Sequence, residues 1–179
     1  MEGDIEGVLY DILLEGEVVS QTCVTDAQPQ QQPQVTPGLV LNAFRRLAWP
    51  ASPLLIQPVG GRTLVNFATN FYTDNTTPTR QSISLLGQRV TVEATPTTYT
   101  WRFGDGQSDA TTSPGAAYPT LDVTHDYLTK GRVAPSVDTT YAGRYRVNRG
   151  PWIAIPATLT VPGASVAIDV IEARPTLVG

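Results

Sequence analysis

From Leu54 to Val170 the apolar residues recur at alternate positions, and Gly, Pro, Asn or Asp breaks the pattern about every eight to twelve residues. A period of two sends successive side chains to opposite faces of an extended strand, and a helix cannot use it to build one apolar face. This region is therefore expected to be all-β. Arg89–Ala94 alternates cleanly and places Val90, Val92 and Ala94 inward. Tyr99, Trp101 and Phe103 share one face opposite Thr98, Thr100 and Arg102. Leu121, Val123, His125 and Tyr127 form a further inward set. So do Val133, Pro135, Val137, Thr139 and Tyr141, where Pro135 points to an edge strand because it cannot donate to a ladder. Ser82–Leu86 before Gly87-Gln88 predicts a hairpin, with Gly87 at the first central position of a type II′ turn. Arg144–Val147 and Trp152–Ile155, joined by Asn148-Arg149-Gly150, predict another. Leu159/Val161 and Val166/Ile168/Val170 supply the last strands, and about eight or nine short strands of this kind suit a sandwich.

Before Leu54 the character of the chain differs. Residues 1–27 hold seven acidic residues (Glu2, Asp4, Glu6, Asp11, Glu15, Glu17, Asp26) and no Lys or Arg, so this segment carries -7 of a net charge of -4. The remainder is correspondingly +3. Ile5, Val8, Leu9, Ile12 and Leu13 recur at helical spacing and predict a short amphipathic helix in this acidic segment. It lacks the basic start and unbroken apolar stretch of a signal peptide. Residues 28–36, with the Gln/Pro tract Gln28–Gln34, read as an extended linker. Thr36-Pro37 then signals a helix start, and Leu39, Ala43, Phe44 and Leu47 predict an apolar stripe on a helix over 37–48. Residues 37–58 thus form a helix and connector, and 59–179 the β-sandwich.

Composition excludes several classes. One Cys in 179 residues leaves no internal disulfide framework and no multi-Cys zinc site. No apolar run reaches the roughly 18 residues of a membrane-spanning helix. A net acidic chain with no recognisable binding motif argues against nucleic acid.

The most distinctive stretch is Tyr99-Thr100-Trp101-Arg102-Phe103-Gly104-Asp105-Gly106. Trp101 and Phe103 are the largest apolar side chains on their strand face, and the two glycines tolerate the positive φ of a tight reversal. The octapeptide resembles the W-x-F-G-D-G signature of PKD (polycystic kidney disease) domains, which are immunoglobulin-like β-sandwiches. Thr63–Ala68 is similar to the early core strand of that family, and His125-x-Tyr127 followed by Gly131 to its H-x-Y…G segment. The resemblance covers roughly residues 63–141. It departs from the family in a longer stretch between Phe67 and Thr98, which holds an inserted hairpin, and in Gly131-Arg132-Val133, which lacks the usual aromatic residue. Such a resemblance implies a non-catalytic, secreted or cell-surface module that binds proteins or polysaccharides or acts as a spacer. Eleven Arg against one Lys is in keeping with a bacterial source.

Candidate chemistry is sparse. His125 is the only histidine, so any Ser-His-Asp or Cys-His site would need it. Its place on an inward face predicts instead a structural side chain hydrogen-bonded to backbone. Cys23 is a nucleophile only in principle; in an exported form it could pair with another chain. Asp105 and Asp109 beside the glycine turn are weak calcium candidates, without the closing Glu of an EF-hand, and no cofactor is expected. Asp74 and Glu93 are the two carboxylates considered for glycoside hydrolysis, with nothing that singles them out. Lys130, Arg132, Arg144, Arg146 and Arg149 lie close in sequence against one acid, Asp138, and form a candidate patch for an anionic partner or for the acidic first segment. Asn75-Thr76-Thr77 has the form of a glycosylation acceptor and marks residues 73–80 as an exposed loop. The leading reading is a binding or spacer module contacting protein or carbohydrate, outside the cell or on its surface. The alternatives are a structural subunit that docks through its N-terminal arm, and a hydrolase or an accessory domain of one.

Overall fold

The computed structural model describes residues 7–14, 17–25 and 34–173. Contacts divide the chain into two units, Met1–Gln34 and Val35–Gly179.

In the first unit, β1 (Gly7–Leu14) and β2 (Glu17–Thr25) pair as an antiparallel hairpin, with a register shift between Ile12 and Leu13. The helix predicted there is corrected. Val8, Leu9, Ile12 and Leu13 carry a helical spacing, but Val18, Val19, Thr22, Val24 and Thr25 are β-branched and favour an extended strand. Eight residues of β1 against this partner form a ladder that no isolated short helix could match. Cys23 lies in β2, paired with Leu9. Most of the predicted linker, residues 28–33, lies outside the described residues.

The second unit opens with α1 (Pro37–Arg46). Thr36 caps it by accepting a hydrogen bond from the Leu39 N–H, and Pro37 begins it. Arg45 and Arg46 sit in its last turn, where the helix dipole favours cations. Its buried residues are Val40 and Phe44, with Leu41 and Leu47 packed beside them, whereas Leu39 is 39% exposed, so the apolar stripe is rotated slightly from the one predicted. Trp49 fixes that rotation: its ring lies 5.6 Å from Phe44 and its indole N–H donates to the Phe44 carbonyl.

All the rest is strand and loop, in the order β3 (Leu55–Gln57), β4 (Arg62–Leu64), β5 (Ala68–Tyr72), β6 (Thr79–Leu85), β7 (Gln88–Arg102), β8 (Ser108–Thr111), β9 (Thr124–Asp126), β10 (Gly131–Val133), β11 (Ser136–Val147), β12 (Ile153–Val161) and β13 (Ile168–Ile171). One sheet runs β12-β11-β7-β6, with β8 also on β7; a second runs β10-β13-β4; a third runs β3-β5-β9. Thr63–Ala68, taken as a single strand, instead spans the end of β4, a turn and the start of β5.

The long strands β7 and β11 serve two apolar clusters. Tyr99, Trp101 and Phe103 pack with Phe71, Val123, Tyr127, Val137, Ile168 and Val170. Val90, Val92 and Ala94 pack with Val40, Phe44, Trp49, Tyr141, Tyr145 and Ile155. Inward positions on β7 are even up to Ala94 and odd from Tyr99. The cause is a bulge: Thr140 faces Thr98 and Tyr141 faces Pro96, which leaves Thr97 as an extra residue. Both clusters therefore lie on one face of the same sheet.

Three local expectations change. Leu86 (φ 51°) and Gly87 (φ 76°) are the central residues between the paired Leu85 and Gln88, so the turn is type I′. Pro135 falls between β10 and β11, where the chain leaves one sheet for another, and β11 is an interior strand rather than an edge. Leu121 is half-exposed and outside β9, while Val123 and Tyr127 are buried as expected. The hairpin predicted between Phe67 and Thr98 is β6–β7.

Candidate functional site

The glycine-turn motif is a structural knot. Trp101 and Phe103 are buried, and the Trp101 indole N–H donates to Thr111 Oγ1 at 2.9 Å. Gly104 (φ 84°) and Gly106 (φ 95°) make the reversal. Gly104 also passes so close to the Ala134 backbone that a Cβ would sit 2.6 Å from its nitrogen. Asp105 Oδ1 accepts the Gln107 N–H at 3.0 Å and closes the turn.

The other Asp105 oxygen, Oδ2, lies 2.7 Å from His125 Nε2. His125 stacks on Phe103 and meets the edge of Tyr127, whose hydroxyl donates to the Phe103 carbonyl at 2.8 Å. The predicted structural histidine is thus held by a carboxylate, not by backbone. Burial pushes the Asp105 carboxyl up, but the Gln107 N–H and the hydrogen bond and charge of His125 outweigh it and hold the carboxyl below its ordinary value. Burial, with a smaller push from the Asp105 charge, raises Tyr127. With both oxygens in use, Asp105 is a turn and packing residue. Asp109 accepts its neighbour Ala110 N–H at 2.7 Å, and among the described residues no three His, Cys, Asp or Glu side chains form a metal-holding group.

The basic stretch divides between two sheets, which corrects the single patch. Arg132 lies on β10 opposite Asp169, and Lys130 pairs with Glu172 at 3.3 Å. Those residues and Arg62 line a groove of mixed charge. Arg149 is exposed in the turn between β11 and β12. Only Arg144 and Arg146 share a sheet face, and Arg80 of β6 joins them. Glu93, on the middle strand of the row Arg80–Glu93–Arg144, is buried and takes both neighbouring guanidinium groups. Burial raises its carboxyl, and the hydrogen bonds and charges of Arg144 and Arg80 bring it below its ordinary value. The ring of Trp152 lies beneath all three arginines, with centroid distances of 5.7 Å to Arg80, 4.7 Å to Arg144 and 4.9 Å to Arg146. Sequence reading missed Arg80 because nothing local links it to Arg144; the alternation Arg80/Ser82/Ser84 on a polar face was its only signal. Asp138, the lone acid of the stretch, pairs with Arg102 at 2.9 Å.

Asp74 is exposed, so it and the buried Glu93 do not make matched carboxylates. In the loop 73–80, Asp74, Thr76, Thr77 and Pro78 are exposed, but Asn75 is half-buried: its Nδ2 donates to Ser52 Oγ at 2.9 Å and to the Tyr141 hydroxyl at 2.5 Å, and its carbonyl accepts from Tyr99 at 2.8 Å.

A groove lined mainly by apolar side chains has no counterpart among the sequence expectations. It measures about 570 Å³ and is lined by Gln57, Pro58, Val59, Phe67, Ala68, Asn70, Tyr118 and Leu121, with no charged residue. Val59, Phe67, Tyr118 and Leu121 expose 82%, 46%, 73% and 49% of their surface, an unusual grouping of large apolar side chains. Its polar floor is ordered: Gln57 Oε1 accepts from Asn70 Nδ2 at 3.0 Å and from the Tyr118 N–H at 2.8 Å. Asn70 Nδ2 also reaches the Ala116 carbonyl at 2.8 Å, while Asn70 Oδ1 is buried without a donor among the described residues. No helix among the described residues is long and apolar enough to cross a membrane. No protein-family model, curated protein or solved structure matches the chain.

Proposed function

We propose that this chain is a non-catalytic binding or spacer module, a PKD-like immunoglobulin-type sandwich working at the cell surface or after secretion, and that it contacts a neutral carbohydrate through the Phe67–Tyr118 groove. The observation that carries this reading is the groove itself: exposed aromatic rings beside a fixed pair of amides, with no charge in the lining. Aromatic faces stack on the apolar C–H faces of sugar rings, and amides match sugar hydroxyls. The non-catalytic half of the reading is supported by His125, whose imidazole is occupied by Asp105 and Phe103. The sandwich is supported by the buried Trp101 and Phe103 and by the reversal at Gly104 and Gly106.

The test is retention on insoluble cellulose and chitin and on soluble neutral glucans, for the full chain and for Phe67→Ala and Tyr118→Ala. Both side chains are exposed, so both variants should fold. Retention that falls with both substitutions is expected. Absence of retention by every neutral glycan overturns the carbohydrate assignment, and a protein ligand lost with the same two substitutions would replace it. A second reading, a structural subunit that docks through its N-terminal arm, is favoured by the separation of residues 1–34 as a unit. Deleting residues 1–34 should then change the oligomeric state in size-exclusion chromatography.

A further inference from the structure

We propose that the sheet face carrying Arg80, Arg144, Arg146 and Trp152 is a second binding surface, for a polysaccharide bearing sulfate or carboxylate groups. It lies on the β12-β11-β7-β6 sheet, whereas the apolar groove is built around β3-β5-β9, so the two stand or fall separately.

Charge is the first argument. Three guanidinium groups gather on one indole, and the single buried carboxylate, Glu93, engages two of them. The cluster therefore keeps an excess of positive charge on a chain whose total is -4. Arg89, on the same face of β7 by alternation with Thr91 and Glu93, is exposed and extends the positive surface along the strand.

The second argument is an orphaned donor. Arg146 Nε is buried and finds no acceptor among the described residues. A buried donor without a partner costs free energy, and turning the half-buried Arg146 side chain outward onto an anionic oxygen would remove that cost. Contact with the Trp152 ring meanwhile restrains the guanidinium groups, so less side-chain freedom is lost when their N–H groups meet an oxyanion.

The ligand class follows from what else the face offers. Its neighbours are Ser82, Ser84 and Thr91, and its one aromatic ring is already covered by cations. A protein partner anchors through buried apolar or aromatic side chains, and no cation-free apolar side chain presents itself in this cluster. A flexible polymer with repeated negative groups and many hydroxyls needs only the N–H edges and hydroxyls found here.

Calorimetric titration of the full chain with heparin and with polygalacturonate at low salt tests the proposal, with poly-glutamate as the peptide polyanion. The key variant is Arg146→Gln, which breaks no ion pair. Arg45→Gln, on the exposed end of α1, removes the same charge elsewhere. Affinity for at least one of the polysaccharides should fall about tenfold or more in Arg146→Gln, recover in part in Arg146→Lys, and stay within about twofold in Arg45→Gln. Should Arg146→Gln fail to fold, Arg89→Gln carries the test, with a smaller loss in the same direction. Equal losses in Arg146→Gln and Arg45→Gln would reduce the effect to net charge and overturn the site. So would absence of binding to either polysaccharide, or tighter binding of poly-glutamate, which would assign the face to an acidic peptide.

Discussion

The imidazole of His125 lies flat on the ring of Phe103, with centroids 4.0 Å apart and planes within 3° of parallel. Phe103 belongs to the glycine-turn motif and His125 to a segment some twenty residues later, so this stack ties the turn to β9. Asp105 completes the tie through His125 Nε2. The only histidine of the chain is thereby occupied in holding two segments together.

Replacing His125 by Ala is expected to lower stability by about 1–3 kcal/mol, the scale of a lost charge-assisted hydrogen bond plus an aromatic contact. Urea denaturation would measure it. Any hydrolytic activity that survived intact in a folded His125→Ala protein would also exclude a histidine-dependent hydrolase.

Acid should weaken the same tie. The folded Asp105 carboxyl lies below its ordinary value of 3.8, so its contribution is present above that value and disappears as pH falls through the lower folded one. Glu93, depressed below 4.5 by Arg144 and Arg80, behaves alike. Stability should therefore fall as pH drops below about 4, and Asp105→Asn should flatten that acid limb while leaving the protein less stable at pH 7. Chemical denaturation at stepped pH values reads both effects.

The two apolar clusters should unfold together, because β7 and β11 run through both. Trp101→Ala, in one, and Phe44→Ala, in the other, are each expected to cost about 3–5 kcal/mol. Far-UV circular dichroism and tryptophan fluorescence should report one coincident transition for residues 35–179 in either variant. Separate transitions would mean that the clusters are independent.

Alternation made the strands legible, and bulk made Trp101 and Phe103 legible as core. Long-range partners were not, because nothing near Arg80 in sequence announces that β6 will set it beside Glu93 and Arg144. The bulge at Thr97 is visible only as a change of parity between Ala94 and Tyr99, which also reads as a loop. Val8, Leu9, Ile12 and Leu13 misled because a short apolar run satisfies helical spacing and a strand equally, and the choice fell to the partner strand. The groove escaped because Phe67 and Tyr118 lie far apart in the chain and each alone resembles an ordinary loop residue.

Asn75 is expected to remain unmodified even where a glycosylation machinery acts on folded protein. Its amide nitrogen, the atom a glycan would take, is engaged by Ser52 and Tyr141. Intact mass of protein from a glycosylating host should show no added sugar at this site. Asn75→Ala should cost about 1–3 kcal/mol, because Tyr141 and Ser52 lose a donor in a half-buried setting.

Gly104 and Gly106 both adopt positive φ, yet their substitution by Ala should differ. At Gly106 a Cβ meets nothing within 4 Å, so Ala brings backbone strain alone, about 1–2 kcal/mol. At Gly104 the same strain comes with a Cβ 2.6 Å from the Ala134 nitrogen and 2.9 Å from its carbonyl carbon. Those are backbone atoms of the crossing between β10 and β11, which cannot swing aside as a side-chain tip would. Gly104→Ala must therefore displace the Ala134–Pro135 segment or open the turn that seats Asp105 against His125. Thermal melts should rank Gly104→Ala well below Gly106→Ala, and the imidazole resonances of His125 should move in the former and hold in the latter. Equal melting points would show that the crossing yields freely and that the close approach at Gly104 contributes nothing to stability.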